Sequence, residues 1–401
     1  MLKVPTAILV AIALPALGAT QTAWDHVARV VVFGDLHGDY GKFHDMLSEA
    51  GLIDGRDNWA GGKTHLVQVG DVPDRASDTR KIVDLLIKLE SQARRAGGYV
   101  HALIGDHEAM NMEGDLRYTT PGEYAAFAGP DSARLRDRYY AAVVADLKAQ
   151  AAAQAKAQAQ AQAQASPAQV GAKPAPAPTP PPTFDAAYRA QFDAEHPLGW
   201  VEHQAAWSTQ GYIGKWVLTH SAIIRIDDTL YMHGGLGPEF AGFDYDVMNK
   251  AVITALNHQP EDPKGPHDIL WNEQGPLWYR GLALNKTATE TANVEAILAH
   301  DQVKHVVIGH TKAFRQVNTR FDGKVILTDV FAHNRCVDPH AFLIKEGDAL
   351  STVYRGRRLA LGVDGAARAD YLAKVAAIDA KETPPPAACG VEYAEPPGAP
   401  D

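Results

Sequence analysis

The sequence predicts an α/β protein, a central sheet flanked by helices, and three observations point that way. Three strand–loop–helix units follow one another from Val30 onward. The first strand, Val30 to Phe33, is an unbroken apolar run of the kind buried on both faces. Each of the three strands ends in the same pair, at Gly34-Asp35, Gly70-Asp71 and Gly105-Asp106. Such a repeat favours parallel strands with right-handed crossovers. It sets three polar loops side by side at the carboxyl edge of the sheet, where ligands bind in open α/β folds.

The elements follow in order. After the first strand, residues 41 to 52 read as a helix with Phe43, Met46, Leu47 and Leu52 facing inward. A Gly/Asp/Asn-rich loop leads to a second strand, His65 to Val69, which ends Gly70-Asp71-Val72-Pro73-Asp74-Arg75. Helix 78 to 95 carries Ile82, Leu85, Leu86 and Leu89 at helical spacing. The third strand, Tyr99 to Ile104, ends Gly105-Asp106-His107-Glu108. Asp39, beside the first loop, is placed to cap the helix that follows.

Residues 149 to 183 change composition, first to an Ala/Gln run and then to Ala/Pro. The first half is able to be helical and the second is expected to be extended, but neither builds a core. The stretch reads as a flexible insertion within the domain, with a stalk or partner-binding arm as the alternative. Phe184 to Trp216, with Trp200, Trp207, Tyr212 and Trp216, reads as a small helical cap packed by aromatics. A hairpin follows over 222 to 233, ending His233-Gly234-Gly235, then a helix near 244 to 257. A strand from His305 to Ile308 ends Gly309-His310-Thr311. Further strands are expected at 325 to 328, 341 to 345 and 351 to 354, and residues 383 to 401 form a Pro/Ala-rich tail.

The chain has 401 residues, 46% of them hydrophobic, enough for a substantial core. Its net charge of -10 excludes a general nucleic-acid binder. Small phosphorylated substrates are not excluded, because a local metal site overrides the global sign. Residues 1 to 19 have a short positive start at Lys3, an apolar run and small residues near 18 and 19. That is the pattern of a secretory signal, so a secreted, periplasmic protein without stable membrane insertion is expected, the alternative being an uncleaved anchor. In an oxidising compartment the two cysteines, Cys336 and Cys389, would be able to pair.

Five strand ends therefore present candidate ligands: Asp35 with His37, Asp71, Asp106, His233 and His310. Mixed oxygen and nitrogen donors suit Fe, Mn, Zn or Co better than an all-oxygen Ca or Mg cage. Six donors exceed one tetrahedral site and suit two metals sharing a carboxylate.

These blocks resemble the signatures of calcineurin-like metallophosphoesterases. The Asp74-Arg75 and His233-Gly234-Gly235 blocks resemble the phosphoprotein-phosphatase branch. The stretches Met110 to Tyr118 and Leu277-Trp278-Tyr279-Arg280-Gly281 are similar to bacterial Shewanella-like protein phosphatases. The resemblance covers about residues 28 to 355 and implies a β-sandwich flanked by helices, in one domain over 28 to 360. It also implies two divalent or trivalent ions (Mn, Fe or Zn). Asp35, His37 and Asp71 would hold the first, and Asp71, Asp106, His233 and His310 the second. His107 would be the general acid, oriented by Asp74. Arg75 and Arg280 would grip the phosphate, with Arg117 as a further substrate contact or a surface ion pair. The implied reaction is hydrolysis of a phosphomonoester, on protein Ser, Thr or Tyr or on a small phosphoester, by a metal-bridging hydroxide.

Three departures from the pattern stand out. Asp106 replaces the usual Asn, which adds charge and removes an amide donor. Ala76 follows Arg75 where Gly is usual. Asp329 to Arg335 differs from the expected Gly-rich segment, and His333 and Arg335 there are groove candidates. Two other functions are compatible. One is a nucleotide or dinucleoside polyphosphate hydrolase, with Trp278 and Tyr279 stacking a base. The other is a catalytically weak metal-binding protein.

Overall fold

Strands β2 (Val30–Phe33), β3 (His65–Gln68) and β4 (Tyr99–Ala102) lie parallel and adjacent, in the order the repeat predicts. The computed structural model describes residues 21–164, 183–259, 266–312, 315–330 and 341–381. The segment expected to be a secretory signal, the Pro-rich part of the expected insertion, both cysteines, His333, Arg335 and the tail after 382 lie outside the described residues.

The three parallel strands form half of a six-stranded sheet. The other half is an antiparallel meander of β10 (Ala341–Glu346), β11 (Ala349–Tyr354) and β12 (Arg357–Ala360), in the order β12-β11-β10-β2-β3-β4. A second six-stranded sheet runs β1 (Ala23–Trp24), β5 (Ile223–Ile226), β6 (Thr229–Met232), β7 (His305–Ile308), β9 (Val325–Leu327) and β8 (Asn318–Arg320). The predicted hairpin is the antiparallel β5–β6 pair.

Alternation along each strand divides the core. Val30, Val32 and Val67 pack with Ile224, Tyr231, Val307 and Ile326 between the two sheets. Val31, Phe33 and Leu66, with Leu230, Val306 and Ile308, join the helix-facing core. Every residue of β2 is thus buried, which is why its sequence is apolar without alternation. The outcome is a sandwich of two mixed sheets flanked by helices.

Helix α1 (Tyr40–Glu49) begins at Asp39, whose side chain accepts from the Lys42 N–H, as expected of a cap. Helix α2 (Thr79–Ala96) buries Ile82, Leu85, Leu86 and Leu89 and ends at Gly97 in the left-handed region. The short helix α3 (Asp106–Glu113) starts directly at the third Gly-Asp pair. A cap of α4 (Pro121–Phe127), α5 (Ser132–Gln164), α6 (Ala186–Glu195), α7 (Trp200–Trp207) and α8 (Tyr212–Val217) covers α2 and α3. Trp207 and Trp216 are buried in the cap and Tyr139 packs on Trp200 at 5.0 Å, so these aromatics serve its interior, whereas Tyr212, expected to pack with them, is exposed. The Ala/Gln run as far as residue 164 continues α5. Among the described residues no helix is long and apolar enough to cross a membrane.

Candidate metal centre and its phosphate-binding surround

All six candidate ligands lie at the carboxyl ends of β2, β3, β4, β6 and β7, and all six are buried. They meet where the two sheets present those ends to one another. One group joins Asp71, Asp106, His233 and His310, with ligand atoms within 4.8 Å of one another. In it, His233 Nε2 lies 2.8 Å from Asp106 Oδ1 and 3.2 Å from Asp71 Oδ1, and His310 Nδ1 lies 3.0 Å from Asp106 Oδ1. A second group joins His37, Asp71 and His107. There His37 Nε2 is 3.6 Å from Asp71 Oδ2 and 3.8 Å from Asp35 Oδ2. Asp71 is common to both groups and is the one carboxylate placed to be shared.

The donor set fits cations in a further way. Each candidate histidine spends its other nitrogen on a backbone carbonyl: His37 Nδ1 on Pro73 (3.1 Å), His233 Nδ1 on Val69 (2.9 Å) and His310 Nε2 on Trp278 (3.1 Å). A carbonyl only accepts, so each of those nitrogens carries the hydrogen. The lone pairs of His37 Nε2, His233 Nε2 and His310 Nδ1 then face the carboxylates, which is how imidazole ligates a metal. The buried Asp35 Oδ2 has no hydrogen-bond partner, while its other oxygen accepts from the His310 N–H at 3.0 Å.

Close backbone approach explains the glycines. A Cβ at residue 105 would sit 2.5 Å from Asp71 Oδ1, and one at residue 309 would sit 2.5 Å from Asp35 Oδ1. Strained backbone also gathers here: His37, Asp71, Asp74, Arg75 and His310 all have φ between 47° and 72°. Ala76 is not among the positive-φ residues, so the missing glycine costs nothing at that position.

His107 stands on the first turn of α3 with Nδ1 2.6 Å from Asp74 Oδ2. Asp74 is held in turn by Asn111 Nδ2 (3.0 Å) and the Thr119 hydroxyl (2.8 Å). Burial alone would lower the His107 pKa; the Asp71 carboxylate and the bond to Asp74 outweigh it and hold it at about 9. Burial and the neighbouring Asp329 and Asp71 carboxylates push Asp35 well above the usual range. At Asp106, burial opposes ionisation, but its bonds to His233 and His310 keep the pKa well below normal.

Arg75 Nη2 lies 3.3 Å from His107 Nε2, and Arg280 Nη1 donates to the His310 carbonyl at 2.8 Å, so both guanidinium groups border the ligand cluster. Arg117 does not join them: it is 64% exposed at its side chain and its Nε donates to Asp115 at 2.9 Å, the surface ion pair of the alternative reading. Tyr279 is not a stacking surface either. It is buried and its hydroxyl donates to Glu290 at 2.8 Å, while Trp278 stands edge-on to His310 with its Nε1–H on the Leu270 carbonyl.

Two supporting residues escaped the sequence reading. Glu108 accepts from the backbone N–H of Asp71, Val72 and Gly105 at 2.8–2.9 Å, and so fastens the second Gly-Asp loop to the third. Its position three residues after Gly105, where a capping-box acid falls, was the available signal. Thr119 lies in a loop 45 residues from Asp74, and nothing local marks it.

Comparison with known proteins agrees with this geometry. Residues 28–148 match the calcineurin-like phosphoesterase family. An uncharacterized protein of Schizosaccharomyces pombe is 29% identical over 343 residues, covering 82% of this chain and 81% of its own. Shewanella-like protein phosphatase 2 of Arabidopsis thaliana is 28% identical over 332 residues, covering 79% and 75%. Among solved structures, the cold-active protein-tyrosine phosphatase of a psychrophilic Shewanella species superposes with a TM-score of 0.59 at 26% identity, covering 86% of this chain and 84% of that one.

Proposed function

We propose that this chain, a metal-dependent phosphatase of the calcineurin-like phosphoesterase family, removes phosphate from phosphorylated protein side chains. The observation that carries the reading is the sharing of Asp71 between two buried groups, Asp71–Asp106–His233–His310 and His37–Asp71–His107, with the His107 of the second committed through Nδ1 to Asp74. Asp35, His37 and Asp71 would hold one cation, and Asp71, Asp106, His233 and His310 the other, with Mn, Fe or Zn the metals such donors suit. When bound, two such ions supply positive charge to the phosphoryl oxygens and lower the pKa of a water to near neutral.

The chain's own residues do the rest. Arg75 and Arg280 donate to the phosphate oxygens, a task suited to a planar fork. His107 presents Nε2–H to the ester oxygen, because Nδ1 is committed to Asp74. Departure of an alkoxide or phenoxide is costly without a proton, and His107 delivers it as the bond to phosphorus breaks. Asp74 keeps the ring in the right tautomer and charged until then. We further propose that the chain acts outside the cytoplasm, in the periplasm, on the pattern of residues 1 to 19.

The test is elemental analysis of protein purified without added metal, run with a substrate panel. Phosphopeptides, p-nitrophenyl phosphate, bis-p-nitrophenyl phosphate and dinucleotides are offered to wild type and to His107→Asn. About two metals per chain and hydrolysis of monoesters that His107→Asn loses are expected. Hydrolysis confined to diesters or dinucleotides would overturn the substrate class, and retained metal without turnover would overturn the enzyme reading.

A further inference from the structure

Tyr118 stands over the reacting corner of the site, and its place there is fixed from both sides. The loop that carries it, between α3 and α4, is fastened to the second Gly-Asp loop at three consecutive residues. The Tyr118 carbonyl accepts from the Arg75 N–H (3.1 Å), the Thr119 hydroxyl donates to Asp74 (2.8 Å), and the Thr120 hydroxyl donates to the Ala76 carbonyl (3.2 Å). The phenol ring lies 5.0 Å from the His107 ring, centroid to centroid, and 5.2 Å from the Arg75 guanidinium carbon. The residue is nonetheless 43% exposed, and only Tyr212 and Trp271 join it as exposed large aromatics among the described residues.

The direction of proton delivery says what that exposed ring faces. His107 Nδ1 is taken by Asp74, so the proton leaves from Nε2. Arg75 Nη2 is 3.3 Å from that same Nε2, and the Arg75 guanidinium also covers the Tyr118 ring. The ester oxygen must therefore approach a point flanked by His107, Arg75 and Tyr118. Phosphorus lies on the cation side of that oxygen, and the carbon of the leaving group lies on the other, open side.

We propose that Tyr118 is a specificity-determining residue that packs against the leaving group of the phosphoester and favours an aryl leaving group over an alkyl one. This rests on the phosphatase reading above. An aromatic ring offset against the departing phenol is attractive beyond simple burial, whereas a serine side chain has only one methylene to offer. The expected discrimination is about tenfold.

The test uses metal-loaded full-length protein, wild type, Tyr118→Ala, Tyr118→Leu and Tyr118→Phe, with two peptides of identical sequence carrying phosphotyrosine or phosphoserine. Inorganic phosphate serves as a product inhibitor. Tyr118→Ala is expected to lower kcat/KM on the phosphotyrosine peptide about tenfold, to leave the phosphoserine peptide within about twofold, and to leave phosphate inhibition unchanged, while Tyr118→Phe matches wild type. Tyr118→Leu keeps bulk without a ring face and is expected to fall with Ala; it carries the test where Ala does not fold. Equal losses on both peptides with weakened phosphate inhibition would mean that the ring merely props Arg75, and would overturn the proposal, as would no change on either. A wild type inactive on both peptides overturns the phosphatase reading and this one with it, whereas an active wild type with an unmoved ratio overturns only this one.

Discussion

Replacing Asp74 with Asn tests the proton-delivery arrangement most directly. The carboxylate receives three hydrogen bonds: from His107 Nδ1 at 2.6 Å, from Asn111 at 3.0 Å and from Thr119 at 2.8 Å. An asparagine fits the same space. With its amide nitrogen turned toward the Thr119 oxygen, which is able to accept, its carbonyl still receives His107 and Asn111. Geometry is thus kept and charge is lost. A charge-assisted bond of this kind, made neutral, gives up about 1.5–3 kcal/mol of support for the protonated ring, or about 10- to 100-fold in the step that uses it. The loss should depend on the leaving group, since a weakly basic phenoxide departs with little help from a proton. The assay is kcat on a series of aryl phosphates of increasing leaving-group basicity. Asp74→Asn is expected to match wild type within a few-fold on a nitrophenyl ester and to fall by about 10- to 100-fold on unsubstituted phenyl phosphate. A uniform fall along the series would show that Asp74 serves position alone, and no fall would remove His107 as the acid.

Three other outcomes follow from the same geometry. Asp106→Asn removes a charge that His233 and His310 both contact at 2.8–3.0 Å; it should release the second cation more readily on desalting and, by restoring an amide donor, tighten inhibition by phosphate, both read by elemental analysis and a product-inhibition series. Gly309→Ala forces a Cβ to 2.5 Å from Asp35 Oδ1, so metal content and activity should fall together, at least about tenfold in rate, with about 1–3 kcal/mol of stability lost; Gly51→Ala, at φ 66° in open space, should cost about 1 kcal/mol and leave the metal in place. Burial holds His65, which shares a hydrogen bond with His101, down to about 4 from the usual 6.5, so its contribution to stability is fully present above pH 6.5 and is lost as pH falls toward 4. That loss is worth at most about 3 kcal/mol, and nearer 2 for a ring at a strand end; a Tm drop between about pH 7.5 and pH 4.5 that is no smaller in His65→Gln than in wild type would contradict it.

Much of the fold was legible because its central strands obey simple rules. Val30–Phe33 is buried on both faces and so must be apolar throughout, and the boundaries read from the sequence match the observed strand. The Gly-Asp repeat was legible for a physical reason too, since a Cβ would meet the Thr328 carbonyl at residue 34, the Gly105 backbone at residue 70 and the Asp71 carboxylate at residue 105. What stayed hidden depends on distant chain. Strand β1 is two residues long and exists only by pairing with β5, some 200 residues away. Strand β12 is largely exposed and opens with two arginines, so its hydrophobic signal is weak. Helix α11 (Thr287–Asp301), rich in threonine at its start, was passed over for want of a clear apolar stripe. The same divide holds within the site. Ligands could be read because each sits at the end of a strand, but Thr119, which holds Asp74 from 45 residues away, could not.

That divide bears on how the centre keeps its shape. Five of its residues hold left-handed backbone, each at a cost of about 1–3 kcal/mol, and the buried carboxylates Asp35, Asp71, Asp106 and Glu108 crowd one corner. Neither is tolerable on a free loop. Here every strained residue follows a strand whose hydrogen bonds fix its starting point, and the loops then hold one another: Leu36 and His37 donate to the Asp71 carbonyl at 3.0 and 2.9 Å, Gly38 to that of Val72 at 2.8 Å, and Gly309 to that of His233 at 2.8 Å. Glu108 closes the ring by gripping the backbone on both sides of Asp71. The two sheets thus act as a vice whose jaws are the strand ends, and the charge gathered between them is what gives divalent cations a reason to bind there. A site assembled this way gains little from any one donor's sequence neighbours, and it should be more sensitive to a methyl group between the jaws than to the exchange of one ligand for its amide.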